Sequence, residues 1–158
     1  MIESNFVYLT QERLTELEKE LRELKTSGRK DIASKIAEAR SHGDLSENAE
    51  YDAAKDEQAM FEMRLAKLEH LLSRARVVDT SHLPKDKVHI LSTVKVLNTK
   101  TSKEFLYFMV SPEEADFQTG KIAVTSPIGQ GLMGKSIGET VKIKVPAGMI
   151  ELKILSVE

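Results

Sequence analysis

Leu14, Leu17, Leu21 and Leu24 recur at spacings of three, four and three, and Phe61, Leu65, Leu68, Leu72 and Ala75 repeat four, three, four, three. Apolar residues at that period line one stripe of a helix, and two such stripes cover each other as a coiled-coil seam. The first stretch has a helix start at Thr10, a capping residue flanked by Leu9 and Leu14 in hydrophobic-staple positions. Its apolar face continues through Ile32, Ile36 and Ala39 beyond Gly28, a residue that costs about 1 kcal/mol inside a helix and predicts a bend. Ala53, Ala54 and Ala59 narrow the second stripe where the two stretches meet. The few residues around Gly43 that join them require the helices to double back as an antiparallel hairpin. Arms of about 30 residues make a rod of roughly 45 Å at the helical rise.

From Val77 the period becomes alternating, after which Thr80 to Lys87 reads as a connector. Val141, Ile143 and Val145 alternate with lysines, Pro146 and Gly148 mark a turn, and Ile150, Leu152 and Ile154 alternate again, which predicts a β-hairpin. Thr93–Asn98 and Lys103–Val110 read as two more strands, the second with a continuous apolar run suited to a central position, and Lys121–Thr125 as a short fifth. The expected class is α+β, with a helical hairpin over residues 1–76 and a small sheet domain over 77–158. Aromatic residues at 5% and charged residues at 30% fit a long solvated element beside a modest core.

A net charge of −2 argues against a protein that binds nucleic acid mainly by neutralising phosphates. The absence of cysteine excludes disulfides and thiolate metal sites. No apolar run approaches the ~18 residues of a spanning helix and the N-terminus lacks a leader pattern, so a cytoplasmic protein without membrane contact is expected.

The hairpin end, expected near residues 41–51, carries Asp44 and Glu47. Asp-x-x-Glu at a helix start is a capping box, each side chain bonding the other's backbone N–H. The same pair, projecting from one helical turn, could instead hold a hard cation. Magnesium is bound by one or two carboxylates together with waters and phosphates, so such a site would need a second molecule to complete it. Other apparent motifs carry less. Gly129–Gly134 satisfies G-x-G-x-x-G, but the next strand follows too soon for a crossover helix, so these read as turn glycines. His42, His70, His82 and His89 show no metal-ligand spacing, and Ser41, His42 and Asp44 are too crowded in sequence for a triad.

His42-Gly43-Asp44-Leu45-Ser46-Glu47-Asn48-Ala49-Glu50-Tyr51, with Ile36–Arg40 before it and Ala53–Lys55 after it, resembles the tip signature of the GreA/GreB family of bacterial transcript cleavage factors. The likeness continues through Glu114–Phe117, Gly120–Ile122, Ser126–Gly129, Gly134–Lys135 and Gly138–Glu139, and so spans essentially the whole chain. It departs at Gly28–Asp31, where relatives often carry an Arg-Pro pair. The resemblance implies a coiled-coil hairpin followed by an FKBP-like domain, a monomer that is not itself an enzyme. It implies that the hairpin enters the secondary channel of RNA polymerase, where Asp44 and Glu47 help hold a second Mg²⁺, with no metal bound by the factor alone. The polymerase then hydrolyses backtracked nascent RNA near its 3′ end. By the same resemblance Arg40 and Lys55 contact that RNA, Asn48 and Tyr51 support the tip, and Ser126 and Pro127 touch the polymerase. The alternative is a relative that occupies the channel without stimulating cleavage, which retention of both acidic residues disfavours. A prolyl isomerase reading of the second domain is disfavoured by its few aromatics, Phe105, Tyr107, Phe108 and Phe117.

Overall fold

The computed structural model describes residues 5–42 and 49–158. The chain divides into two compact units, Glu12–Arg74 and a second that joins the residues up to Gln11 to Ala75–Glu158. The boundary expected between 76 and 77 thus falls just past the end of the helical unit, and the N-terminal strand groups with the sheet.

In the helical unit the first arm is continuous from α1 (Gln11–Glu23) through a π-helical turn (Leu24–Gly28) into α2 (Arg29–Ser41), and the second arm is α3 (Ala49–Ser73). Helix α1 begins directly after Thr10, as the capping pattern predicts. Leu17, Ile32 and Ala39 on one arm and Ala54 and Leu65 on the other are buried, so the heptad stripes do form the seam. Ion pairs rung the arms together outside it. Lys25–Glu69 at 3.0 Å, Arg29–Glu62 at 3.2 Å and Lys35–Glu57 at 2.6 Å run in opposite sequence directions, which makes the arms antiparallel. Gly28 lies under Phe61: a Cβ there would come within 2.9 Å of the ring. At this glycine, where the sequence suggests a bend, the arm has the π-helical turn.

The heptad pattern places Ala75 on the helical seam, yet the helix stops at Ser73 and Ala75 lies in a strand. Strand β2 (Ala75–Val77) pairs in parallel with β1 (Val7–Leu9). Val7 and Leu9 are fully buried, and the Tyr8 N–H donates to Ser111 Oγ at 2.9 Å, so burial and a hydrogen bond fix this strand within the sheet unit. The main sheet has the order β5-β4-β3-β7-β6, with β3 (Thr93–Asn98), β4 (Lys103–Val110), β5 (Lys121–Ala123), β6 (Thr140–Val145) and β7 (Gly148–Val157). The ranges of β3 and β4 are those read from the sequence, and β6 and β7 form the expected hairpin, pairing from Val145↔Gly148 outward. One placement differs. Strand β4 is interior only in its last third, because β5 pairs with Phe108–Val110 alone, so Leu106 is 65% exposed despite its apolar run. The core lies on one face: Val94, Val96, Tyr107, Met109, Leu152 and Ile154 pack with Leu132 of α4 (Pro127–Leu132).

Candidate functional site at the hairpin end and the sheet groove

Asp44, Glu47 and Asn48, the residues assigned to the acidic tip, lie outside the described residues. Helix α2 closes on His42, whose N–H donates to the Ala39 carbonyl at 3.3 Å. Between the arms His42 Nε2 meets Glu50 Oε2 at 3.3 Å, and the Arg40 guanidinium lies over the Tyr51 ring, 5.7 Å from its centroid. Both contacts join one arm to the other. Tyr51, which the resemblance assigns to support of the tip, thus meets Arg40, which it assigns to RNA. A cation over an aromatic face keeps its charge while its side chain is held in place. Lys55 is exposed on α3, with Nζ donating to Gln58 Oε1 at 2.9 Å. Buried Ala39 and Ala54 let the arms approach closely just below this end.

Away from the end, the Arg29 guanidinium donates to both carboxylate oxygens of Glu62, Nε at 3.3 Å and Nη2 at 3.2 Å. Hydrogen bonding and charge from Glu62 raise the Arg29 pKa, and Glu57 raises that of Lys35 in the same way. These basic side chains are occupied in bracing the arms. Their partners are not legible in the sequence, since the pairs follow from the register of one arm on the other.

In the sheet unit Ser126 caps α4: its Oγ accepts the Gly129 N–H at 3.1 Å and donates to the Ala123 carbonyl at 2.6 Å. Pro127 follows at the first helical turn, where its missing N–H costs nothing, and it is exposed. The pair thus begins a short helix. Ser126→Ala is expected to cost about 1 kcal/mol, read as a shift of the urea midpoint. Beside it lies an apolar groove of about 560 Å³, lined by Phe105, Tyr107, Phe117, Pro127, Ile128 and Ile150 among others. Composition understated this feature, because three of the four aromatics of this half converge on one place. Burial raises the Tyr107 phenol pKa.

The glycine motif lacks the context of a dinucleotide site, as expected, but its glycines are not all turns. Gly129 and Gly131 are in α4, close against Val124 and Ile143, and only Gly134 takes a positive φ, of 79°. Their role is close packing. His89 bonds the Pro84 and Ile90 carbonyls, and His82 lies 3.4 Å from Asp79. Among the described residues no helix is long and apolar enough to cross a membrane.

Comparison with known proteins gives a family for this arrangement. Residues 7–77 match the family described as "Transcription elongation factor, N-terminal", and residues 83–158 match "Transcription elongation factor, GreA/GreB, C-term". Transcription elongation factor GreA of Chloroherpeton thalassium is 49% identical over 155 residues, covering 98% of each chain. The protein of the same name from Amoebophilus asiaticus is 51% identical over 150 residues, covering 95% of this chain and 96% of its own. Among solved structures, GreA factor homolog 1 (Gfh1) of Thermus thermophilus aligns with a TM-score of 0.45 at 26% identity, over 97% of this chain and 99% of that one. Two matches that between them take in both units, with relatives near half identity along the full length, place this chain in the GreA/GreB family of transcription elongation factors.

Proposed function

We propose that this protein stimulates hydrolytic cleavage of backtracked nascent RNA by bacterial RNA polymerase, acting as a metal-site donor and not as an enzyme by itself. The hairpin end enters the polymerase secondary channel, and Asp44 and Glu47 supply carboxylate oxygens to a second Mg²⁺ that polymerase and RNA phosphate also hold. In two-metal hydrolysis one ion favours the attacking oxygen and the other the leaving oxygen. Supplying ligands of the weaker ion from outside makes cleavage depend on the factor. The sheet unit, assigned an FKBP-like fold, docks on polymerase through Ser126, Pro127 and the adjoining apolar groove. The protein works as a cytoplasmic monomer and binds no metal alone. The observation that carries this reading is a braced antiparallel hairpin whose arms are joined by His42–Glu50 and Arg40–Tyr51, with two acidic residues in the seven positions between His42 and Glu50. Membership of the family of elongation factors agrees with it.

The test is release of 3′ fragments from a defined backtracked elongation complex, with and without the protein. Stimulation is expected, and an unchanged rate at saturating protein would sink the proposal in favour of a channel-occupying competitor. Arg40→Ala and Lys55→Ala address the RNA contact. Each is expected to raise the half-saturating concentration of the factor and to flatten its logarithmic salt dependence by about 0.7, the share of one phosphate contact on a single strand. Unchanged salt dependence for both would remove them from the RNA interface.

A further inference from the structure

We infer that the π-helical turn Leu24–Gly28 is a positioning element: a one-residue insertion that rotates α2 about the arm's axis so that Ile32, Ile36 and Ala39 meet α3. Apolar residues of the second arm, Ala54, Phe61, Leu65, Leu68 and Leu72, keep a strict heptad phase, and α3 is an uninterrupted α-helix. The first arm does not keep that phase. Leu14, Leu17, Leu21 and Leu24 are in phase with one another, but continuing the heptad from Leu24 arrives at Asp31, Lys35 and Glu38, one residue short of each apolar position. A straight α-helix would therefore turn two acids and a lysine toward the seam, at the cost of burying charge. In the structure Asp31, Lys35 and Glu38 are exposed, while Ile32 and Ala39 are buried. One extra residue corresponds to about 100° of helix rotation, and the turn absorbs it.

The local chemistry fits that task. The Arg29 N–H reaches back five residues to the Leu24 carbonyl, the bond of a widened turn. Hydroxyls take up carbonyl capacity just upstream: Thr26 Oγ1 donates to Arg22 O at 2.8 Å and Ser27 Oγ to Glu23 O at 3.2 Å. Gly28 leaves room for the Phe61 ring, which a Cβ at this position would meet at 2.9 Å. Since α2 carries Arg40 near its C-terminal end, the turn also decides which way that residue faces, including its place over Tyr51.

The inference makes an unusual demand, that one residue of a coiled-coil arm is removable. Deleting Lys30, an exposed residue just past the turn, brings Ile32, Ile36 and Ala39 into the strict heptad of Leu14–Leu24, which Gly28 already keeps. Deleting Lys19, equally exposed and equal in charge, throws one pair of leucines off the seam. The Lys30 deletion is expected to melt at or above the parent's temperature, and the Lys19 deletion about 10 °C or more below it. Orientation is read separately from stability. The chain has no cysteine, so spin labels on Ala37→Cys and Asp56→Cys report the distal arms cleanly, and the Lys30 deletion should give the parent's distance distribution. Equal destabilisation by the two deletions, or a displaced label distance after deletion of Lys30, overturns the inference. Cleavage stimulation by the Lys30 deletion is expected to match the parent's, and this last readout alone rests on the function proposed above. A parent that fails to stimulate would sink that function while leaving the melting and distance results to judge the turn.

Discussion

Asp44→Asn and Glu47→Gln are each expected to remove most stimulation of RNA cleavage, by at least about tenfold, while leaving helicity and melting temperature near the parent's. The pairing of substitutions separates the two roles that Asp-x-x-Glu can have. Asparagine is about as good a helix cap as aspartate, and glutamine can complete a capping box, so local folding is preserved. Neither amide supplies the anionic oxygen that magnesium prefers. Alanine would be a poorer probe, because losing the cap itself costs about 1 kcal/mol and would mix the two effects. Raising Mg²⁺ should partly restore stimulation by the substituted proteins, since a weakened ligand set lowers occupancy before it alters chemistry. Full stimulation by both variants at ordinary Mg²⁺ would falsify the donor role and leave Asp44 and Glu47 as caps alone.

Where the sequence was legible, one periodicity determined the answer. Strands β3 and β4 were read to the residue because alternation and turn residues agree there, and the two leucine stripes met as a seam because each has a single apolar face. The failures fall where an outcome depends on a distant partner. Ala75 continues the heptad but ends in a strand, since Val7–Leu9 offers it a pairing edge some 70 residues away in sequence. Phe6, Val7, Tyr8 and Leu9 were the available signal, a run of strand formers before the helix cap. Leu106 belongs to an apolar run that suggests burial on both sides, but the short β5 leaves that half of the strand uncovered. The resemblance assigns Arg40 to RNA and Tyr51 to support of the tip, and only the antiparallel register brings them into contact. The phase slip after Leu24 was visible as a run of four-residue spacings, and Gly28 marked its place, but its resolution as a π-helical turn needed the backbone.

Gly129→Ala is expected to destabilise the sheet unit by about 3 kcal/mol or more, a fall in melting temperature of more than about 10 °C. On propensity alone the substitution should help, since alanine gains about 1 kcal/mol over glycine within a helix. The surroundings outweigh this. A Cβ at Gly129 would stand 2.0 Å from the Ala123 carbonyl oxygen and 2.8 Å from Val124 Cα, both backbone atoms held by the chain leading out of β5. Rotamer changes cannot relieve such an overlap, so α4 must lift from the sheet, separating Leu132 from the core and losing the bond from Gly129 N–H to Ser126 Oγ. Gly131→Ala provides the graded control. Its Cβ would meet Ile143 Cγ1 at 2.6 Å and Cδ1 at 2.7 Å, side-chain atoms that can rotate away, so a smaller loss of about 1 kcal/mol is expected. Because Pro127 and Ile128 line the apolar groove, lifting α4 should also weaken docking, raising the factor concentration needed for cleavage at temperatures where the unit is still folded. Equal melting of the two variants would mean that α4 is not seated as tightly on the chain after β5 as these distances require.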